Sequence, residues 1–334
     1  MNRRLPSLSV VIPNFNHGHL IGTQLRAIHT QTVQPSRIII IDDASTDDSV
    51  SRIERLVAGR PDVALICKPE NRGVSKILNE GLRMADTECI AFLAADDEIY
   101  PGHFERSLTL LAAHPEAALC SGLSLVKYRT GDYVLPHRTA YPNMTDGLVT
   151  PAQARASLLR SDGWFMGNTT VFRRLPLLAS GGFNPELLSF SDGFASRVLA
   201  LKHGACFVPE ILATWHRVDE GYATSTSRSE GELAQMLTSA DISMATAFKD
   251  IFPPRLRRRC SARMRFRVLC ARLDNLEQHT RPGKGSHVPI GTRLRLLTVR
   301  AGKTVLKAWF FLMLRPFDIP RVAFSRVGCR PEPK

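Results

Sequence analysis

No two cysteines of this chain stand in Cys-x-x-Cys spacing, and the seven present (Cys67, Cys89, Cys120, Cys206, Cys260, Cys270 and Cys329) are odd in number and scattered. This argues against a disulfide framework or a zinc cluster and suits a reducing cytosol. No uncharged apolar run approaches the ~18 residues a spanning helix needs, so no transmembrane segment is expected. At the N-terminus Arg3 and Arg4 precede only a short apolar run broken at Pro13, with no small-residue cleavage site. No signal peptide is expected there, and the expected location is cytoplasmic.

What is present is enough for a full core. The 334 residues are 44% hydrophobic and 22% charged, ordinary values for a soluble globular protein, with room for one large domain and an appendage. The net charge of +13 is unevenly placed. Residues 255–334 hold 20 of the 44 Lys and Arg but 4 of the 31 Asp and Glu, a net of +16, which leaves −3 for residues 1–254. The body is near neutral and the basicity belongs to the C-terminal segment.

The body begins as alternating strands and helices. Ser7–Pro13, Arg37–Ile41, Val63–Cys67 and residues 89–93 read as strands, too continuously apolar for a sheet with one wet face. Helices are expected over 20–31, from near 49, through Asn79 to Ala85, and over 104–113. This order implies right-handed parallel crossovers. Two strands end in acidic pairs, Asp42-Asp43 and Asp96-Asp97, at the edge where open α/β sheets bind ligands. Adjacent carboxylates repel each other, which a hard cation beside them would relieve. Gly73, at a loop-to-helix junction, permits close approach of backbone N–H groups to a phosphate. Alone, each of these reads better as a capped turn.

Residues 120–160 are expected to be irregular, Trp164–Phe172 to be a strand, and a helix to open at Ser191-Asp192-Gly193 and run to Gly204. Strands at 205–209 and 211–217 close the domain. Helices are expected over 232–248 and 255–276, then a Gly/Pro/Ser linker at 282–286 and a segment over 292–314. That last segment ends in an aromatic-apolar cluster at 308–314, whose basic flanks suit an anionic membrane surface or, equally, a face packed on protein. No DNA- or RNA-binding motif accompanies the charge, and no nucleic-acid partner is expected.

Four motifs together carry a resemblance: Val10-Val11-Ile12-Pro13-Asn14-Phe15-Asn16; Ile41-Asp42-Asp43-Ala44-Ser45-Thr46-Asp47; Asn71-Arg72-Gly73 with Asn79-Glu80-Gly81-Leu82; and Phe92-Leu93-Ala94-Ala95-Asp96-Asp97 with Pro101-Gly102. In this order and spacing the chain resembles the family 2 glycosyltransferases, inverting enzymes of the GT-A fold that use nucleotide sugars. The resemblance is clear over residues 7–125 and looser to about 225. It implies an α/β fold of GT-A type: a Rossmann-like nucleotide-binding sheet with helices on both faces over 1–227 (nucleotide half 1–125, acceptor half 126–227). A basic, mainly helical extension over 228–334 follows.

The resemblance also implies roles. Pro13 and Phe15 would shape the nucleotide pocket, Asp43 would accept a hydrogen bond from a uracil-type base, and Asp42 would support the loop. Arg72 and Lys76 would face nucleotide or phosphate, and Asp96 the ribose or a metal-bound water. Asp97 would bind Mn²⁺ or Mg²⁺, hard cations suited to carboxylate and phosphate oxygens, with His216 near the metal. Asp192 would be the catalytic base. The implied partners are a UDP- or dTDP-type sugar donor and a glycan or lipid-linked acceptor, in cell-surface polysaccharide or glycolipid synthesis. Three departures, Ala94, Leu78 and Ser191, stand where relatives often carry Asp, Arg and Glu. They motivate the alternative of an inactive nucleotide-sugar-binding or scaffold protein.

Overall fold

The computed structural model describes residues 4–127, 133–134, 141–160, 164–216, 222, 226, 229–280, 301–302 and 304–305. Strands β1 (Leu8–Asn14), β2 (Arg37–Asp42), β3 (Val63–Cys67) and β4 (Cys89–Phe92) alternate with helices α1 (Gly18–His29), α2 (Ser49–Val57) and α3 (Val74–Met84). The strands lie parallel in the order β3-β2-β1-β4. Successive side chains of a strand point to opposite faces, and the apolar runs divide accordingly. Val10, Ile12, Ile38 and Ile40 pack with Ile21, Leu25 and Ile28 of α1. Val11, Ile39 and Ile41 pack with Ile77 and Leu82 of α3. Both faces are covered, which is why the runs show no polar alternation.

After the short β5 (Glu98–Ile99) and α4 (His103–Ala113), the structure corrects the sequence reading. The described residues of 120–160 are largely regular: β6 (Leu119–Lys127), β7 (Tyr133–Val134), β8 (Gly147–Val149) and α5 (Pro151–Arg160). Ser121, Gly122 and Ser124 look like loop residues but are buried in β6, where Ser121 Oγ donates to the Trp164 carbonyl at 3.2 Å. A Cβ at Gly122 would stand 2.4 Å from Leu212, so the strand is small-sided because it is tightly covered.

Trp164–Phe172 is not one strand either. Trp164 and Phe165 stack at 3.8 Å inside the core, a 3₁₀ turn occupies Gly167–Thr169, and only Val171–Arg173 forms β9. Helices α6 (Arg174–Ala179) and α7 (Ser191–His203) lead to β10 (Ala205–His216). The two strands expected over 205–217 are this one strand with register shifts between Val208 and Ala213; Arg217 lies outside the described residues.

The sheet order is β3-β2-β1-β4-β9-β6-β10-β5, with β9 antiparallel to both neighbours and β10 parallel to β6. Helices α8 (Glu230–Ala245) and α9 (Pro254–Thr280) follow. Ala240, Met244, Phe252, Leu256, Cys260 and Met264 belong to the same core as Phe194 of α7 and Leu158 of α5, and Phe252 stacks on Phe194. This part of the basic segment is built into the body. The linker at 282–286 and the cluster at 308–314 lie outside the described residues. Among the described residues no helix is long and apolar enough to cross a membrane, and Cys67, Cys89, Cys120, Cys206 and Cys260 are free thiols.

Candidate active site

Because β1 to β4 are parallel, their C-terminal ends share one edge, and the acidic pairs meet there. At β2, Asp42 is buried and accepts from Asn14 Nδ2 (2.6 Å), the Ser45 backbone N–H (2.9 Å) and Ser45 Oγ (2.6 Å). It fastens the loop to β1. Asp43 turns the other way: its two oxygens accept the backbone N–H groups of Arg72 and Gly73, each at 2.8 Å. Each oxygen keeps a second lone pair for a ligand donor. Gly73, at φ 84°, adopts a conformation that suits glycine. Pro13 and Phe15 stand at the end of β1, with Phe15 43% exposed. Arg72 lies 3.5 Å from Glu80, which also pairs with Lys68, and Lys76 is exposed in the first turn of α3. Leu78 packs against the core and half-buried Ala94 sits in the turn after β4.

Beyond β4 the backbone turns, Asp97 N–H donating to the Ala94 carbonyl at 3.3 Å, and β5 pairs with β10. This pairing brings His216 to Asp97. The acidic pair is divided by burial: Asp97 is 8% exposed with Oδ1 lacking a partner, while Asp96 is half-buried. Burial drives the Asp97 carboxyl well above the usual carboxylate range, and the charges of Asp96 and Asp192 add to the effect; the His216 backbone N–H opposes it. The His216 imidazole is pulled down by burial and by Lys127, against Glu98 and Asp96. Its Nε2 stands 3.8 Å from Glu98, beyond hydrogen-bond distance.

Asp192 lies in the first turn of α7, where Phe190 rather than the aspartate occupies the cap position. Burial raises its pKa, against the Gly193 N–H, which donates to Oδ1 at 2.7 Å, and the Arg197 charge. Arg197 is itself buried, donates to the Gly193 carbonyl at 2.6 Å, and stands over the rings of Phe190 (4.9 Å) and Phe165 (5.5 Å). Leu188, four residues before Asp192, has φ 48° and ψ −129°, a conformation costing about 1–3 kcal/mol. It is held against Leu233 and Met236 of α8 and Val268 of α9.

The Asp97 carboxylate, beyond β4, therefore feels the charges of its neighbour Asp96 and, more weakly, of Asp192 at the start of α7. Among the described residues no group of three or more His, Cys, Asp or Glu could hold a metal by itself. The unpartnered Asp97 oxygen and the mutual repulsion nevertheless fit a hard cation that completes its shell with phosphate oxygens and water.

The sequence model described as "Glycosyl transferase family 2" matches residues 9–175, half of the chain. The chain belongs to glycosyl transferase family 2. Among its relatives, the uncharacterized glycosyltransferase YibD of Escherichia coli K12 is 39% identical over 103 residues. That match covers 31% of this chain and 30% of the relative's length. The amylovoran biosynthesis glycosyltransferase AmsE of Erwinia amylovora is 21% identical over 188 residues, 56% of this chain and 67% of that protein. Among solved structures, Staphylococcus aureus TarS 1–349 in complex with UDP-GlcNAc aligns with TM-score 0.59 at 16% identity over 94% of both chains. The mannosyltransferase PcManGT of Pyrobaculum calidifontis in complex with GDP-Man and Mn²⁺ aligns with TM-score 0.57 at 20% identity, over 93% of this chain and 88% of that one. At such identities the likeness speaks for the GT-A fold alone.

In this family 2 chain, sequence reasoning missed two contributors beside Asp192 and one contact in the segment that leads toward it. The Gly167–Thr169 turn was hidden in an apolar run, and Arg197 in an ordinary helical pattern. Asn79 belongs to a family motif, but its contact was not legible: Nδ2 donates to the Phe183 carbonyl (2.6 Å) and Oδ1 accepts the Phe183 N–H (2.8 Å). That clasp ties α3 to the segment leading toward Asp192.

Proposed function

We propose that this chain is an inverting glycosyltransferase that moves a sugar from a nucleoside diphosphate sugar of UDP or dTDP type to an acceptor hydroxyl. The observation that carries the reading is buried Asp97, with an unpartnered oxygen, next to Asp96 at the C-terminal edge of the parallel strands, where a second buried carboxylate, Asp192 at the start of α7, adds to the upward push on the Asp97 pKa. The reaction needs one carboxylate beside the leaving diphosphate and another beside the attacking hydroxyl. Asp192, with its raised pKa, takes the acceptor proton as the new bond to the anomeric carbon forms. The bond from that carbon to the diphosphate breaks, and its electron pair leaves with the diphosphate. Asp97, with His216 beside it, would hold Mn²⁺ or Mg²⁺. A divalent cation bound there neutralises the charge that develops on the leaving group.

Asp43, fixed to the loop at 72–73, faces the base, Pro13 and Phe15 flank it, Asp96 faces the ribose, and Arg72 and Lys76 the phosphates. The UDP-GlcNAc named in one structural neighbour's complex supports this donor type, and the GDP-Man and Mn²⁺ named in the other support a nucleoside diphosphate sugar and a divalent cation more generally. A relative named for amylovoran biosynthesis supports a polysaccharide or glycolipid pathway with a glycan or lipid-linked acceptor. The basic C-terminal segment is assigned to an anionic membrane surface on the cytoplasmic face; flotation of the full chain with anionic liposomes, weakened by truncation near residue 254, would support this, and no liposome association by either chain would remove it.

The test is a thermal-shift screen of UDP-, dTDP- and GDP-sugars with Mn²⁺, followed by release of nucleoside diphosphate. Donor binding stabilises the native state by mass action. Asp192→Asn should keep donor binding and lose about 10²–10⁴-fold in turnover, whereas Asp97→Ala should lose the metal-dependent stabilisation. Turnover retained in both variants would sink the assignment, and donor binding without any wild-type turnover would favour the inactive binding protein.

A further inference from the structure

We propose that Gly167 is a positioning residue, whose missing side chain leaves the space in which the Asp192 carboxylate is held toward the acceptor hydroxyl. This rests on the assignment of Asp192 as the base. A Cβ at residue 167 would lie 2.4 Å from Asp192 Oδ2 and 3.6 Å from its Cγ. The collision is with the reactive end of the side chain, not its stem. Gly167 is not among the glycines at positive φ, so its backbone would accept any residue, and the glycine serves space rather than conformation.

The backbone on neither side of the contact is free to retreat. On one side, Thr169 Oγ1 donates to the Gly122 carbonyl at 3.0 Å, and Asn168 Nδ2 donates to Ser124 Oγ at 3.1 Å. The Thr169 carbonyl accepts from His103 Nε2 at 3.0 Å, and the Thr170 N–H donates to the Gly167 carbonyl at 3.2 Å. On the other side, Asp192 Oδ1 accepts the Gly193 N–H, and Arg197, stacked against two aromatic rings, holds the Gly193 carbonyl. An added methyl therefore turns the carboxylate rather than moving the scaffold. Donor binding is built at the ends of β1 to β4 and is left alone.

The experiment compares wild type with Gly167→Ala, using UDP-glucose, UDP-N-acetylglucosamine and GDP-mannose with Mn²⁺ as probes. Release of nucleoside diphosphate is measured beside donor Kd. The expected result is a kcat lower by about 100-fold, the scale of a misplacement near 1 Å, with donor Kd unchanged. An unchanged kcat, or Kd weakened in step with kcat, overturns the proposal. A second pair guards against a variant that folds poorly. Shortening the partner in Gly167→Ala/Asp192→Ser should raise Tm from that of Gly167→Ala to that of Asp192→Ser alone. A Tm loss that persists in the double variant means that something other than Asp192 crowds the site, and overturns the proposal. Asp192→Asn separates the two layers: wild-type turnover there removes the base assignment itself. An inactive Asp192→Asn beside a fully active Gly167→Ala removes only the role of Gly167.

Discussion

Acidification should loosen the fold at His103, which ties α4 to the Gly167–Thr169 turn. Its imidazole is fully buried at the start of α4, donates from Nε2 to the Thr169 carbonyl at 3.0 Å, and leaves Nδ1 without a partner. Burial lowers its pKa from 6.5 to about 4. Between those values the unfolded chain binds a proton that the folded chain refuses, so the stability present above pH 6.5 is lost as pH falls and the loss levels off below about 4. A gap of about 2.5 at about 1.4 kcal/mol per pH unit gives about 3 kcal/mol in full, of which about 2 kcal/mol is gone at pH 5. Set against a typical domain stability of about 5–15 kcal/mol, this is measurable. The assay is urea unfolding of wild type and His103→Gln at pH 7.5 and pH 5. Glutamine can still donate to the Thr169 carbonyl but does not titrate. Wild type should lose about 2 kcal/mol more than the variant across that interval, the carboxylates common to both cancelling. Equal losses in the two proteins would refute the reasoning.

Other expectations follow from single contacts. Asn79→Ala leaves the Phe183 N–H and carbonyl without their side-chain partners. It should cost about 2–4 kcal/mol in urea unfolding, and a loss below about 0.5 kcal/mol would mean that the clasp is replaced by water. Truncation after residue 228 strips Met244, Phe252, Leu256 and Met264 from the core, each worth about 1.5–3 kcal/mol. The shortened chain should be recovered aggregated, and a monodisperse, cooperatively melting product would contradict the shared core. Asp97→Asn removes a buried charge repelled by Asp96 and Asp192. In EDTA its Tm should exceed that of wild type, while Mn²⁺-dependent stabilisation by donor disappears; a lower Tm in EDTA would show that the charge is compensated.

The half of the fold made of β1 to β4 was legible because β1, β2 and β4 are buried on both faces and the edge strand β3 is half-buried along its length, so each writes a nearly continuous apolar run. The acidic strand ends were legible because nothing in a strand requires Asp42-Asp43 or Asp96-Asp97. The other half was not, for a physical reason. Ser121, Gly122 and Ser124 are loop formers by local preference, and they lie in a strand because of partners more than forty residues away: Trp164, Thr169 and Asn168. The turn at Gly167 is fixed by the same long-range bonds. The meeting of His216 with Asp97 has a similar origin. Strand β10 lies between β6 and β5, and no local pattern records that pairing.

The reversed strand β9 has a consequence for how this region tolerates change in length. Because β9 runs against β4, with Val171 beside Ala91 and Arg173 beside Cys89, its beginning lies at the edge where β4 ends. The Gly167–Thr169 turn therefore reaches that edge before its strand begins, only one residue ahead of Val171. A loop following a parallel strand can lengthen outward and leave its strand in place. Here any inserted residue must either break the Thr169 pairing with β6 or push the strand itself out of register. Variation among related chains should therefore collect in the stretch before Trp164, while the spacing from Gly167 to Arg173 stays constant.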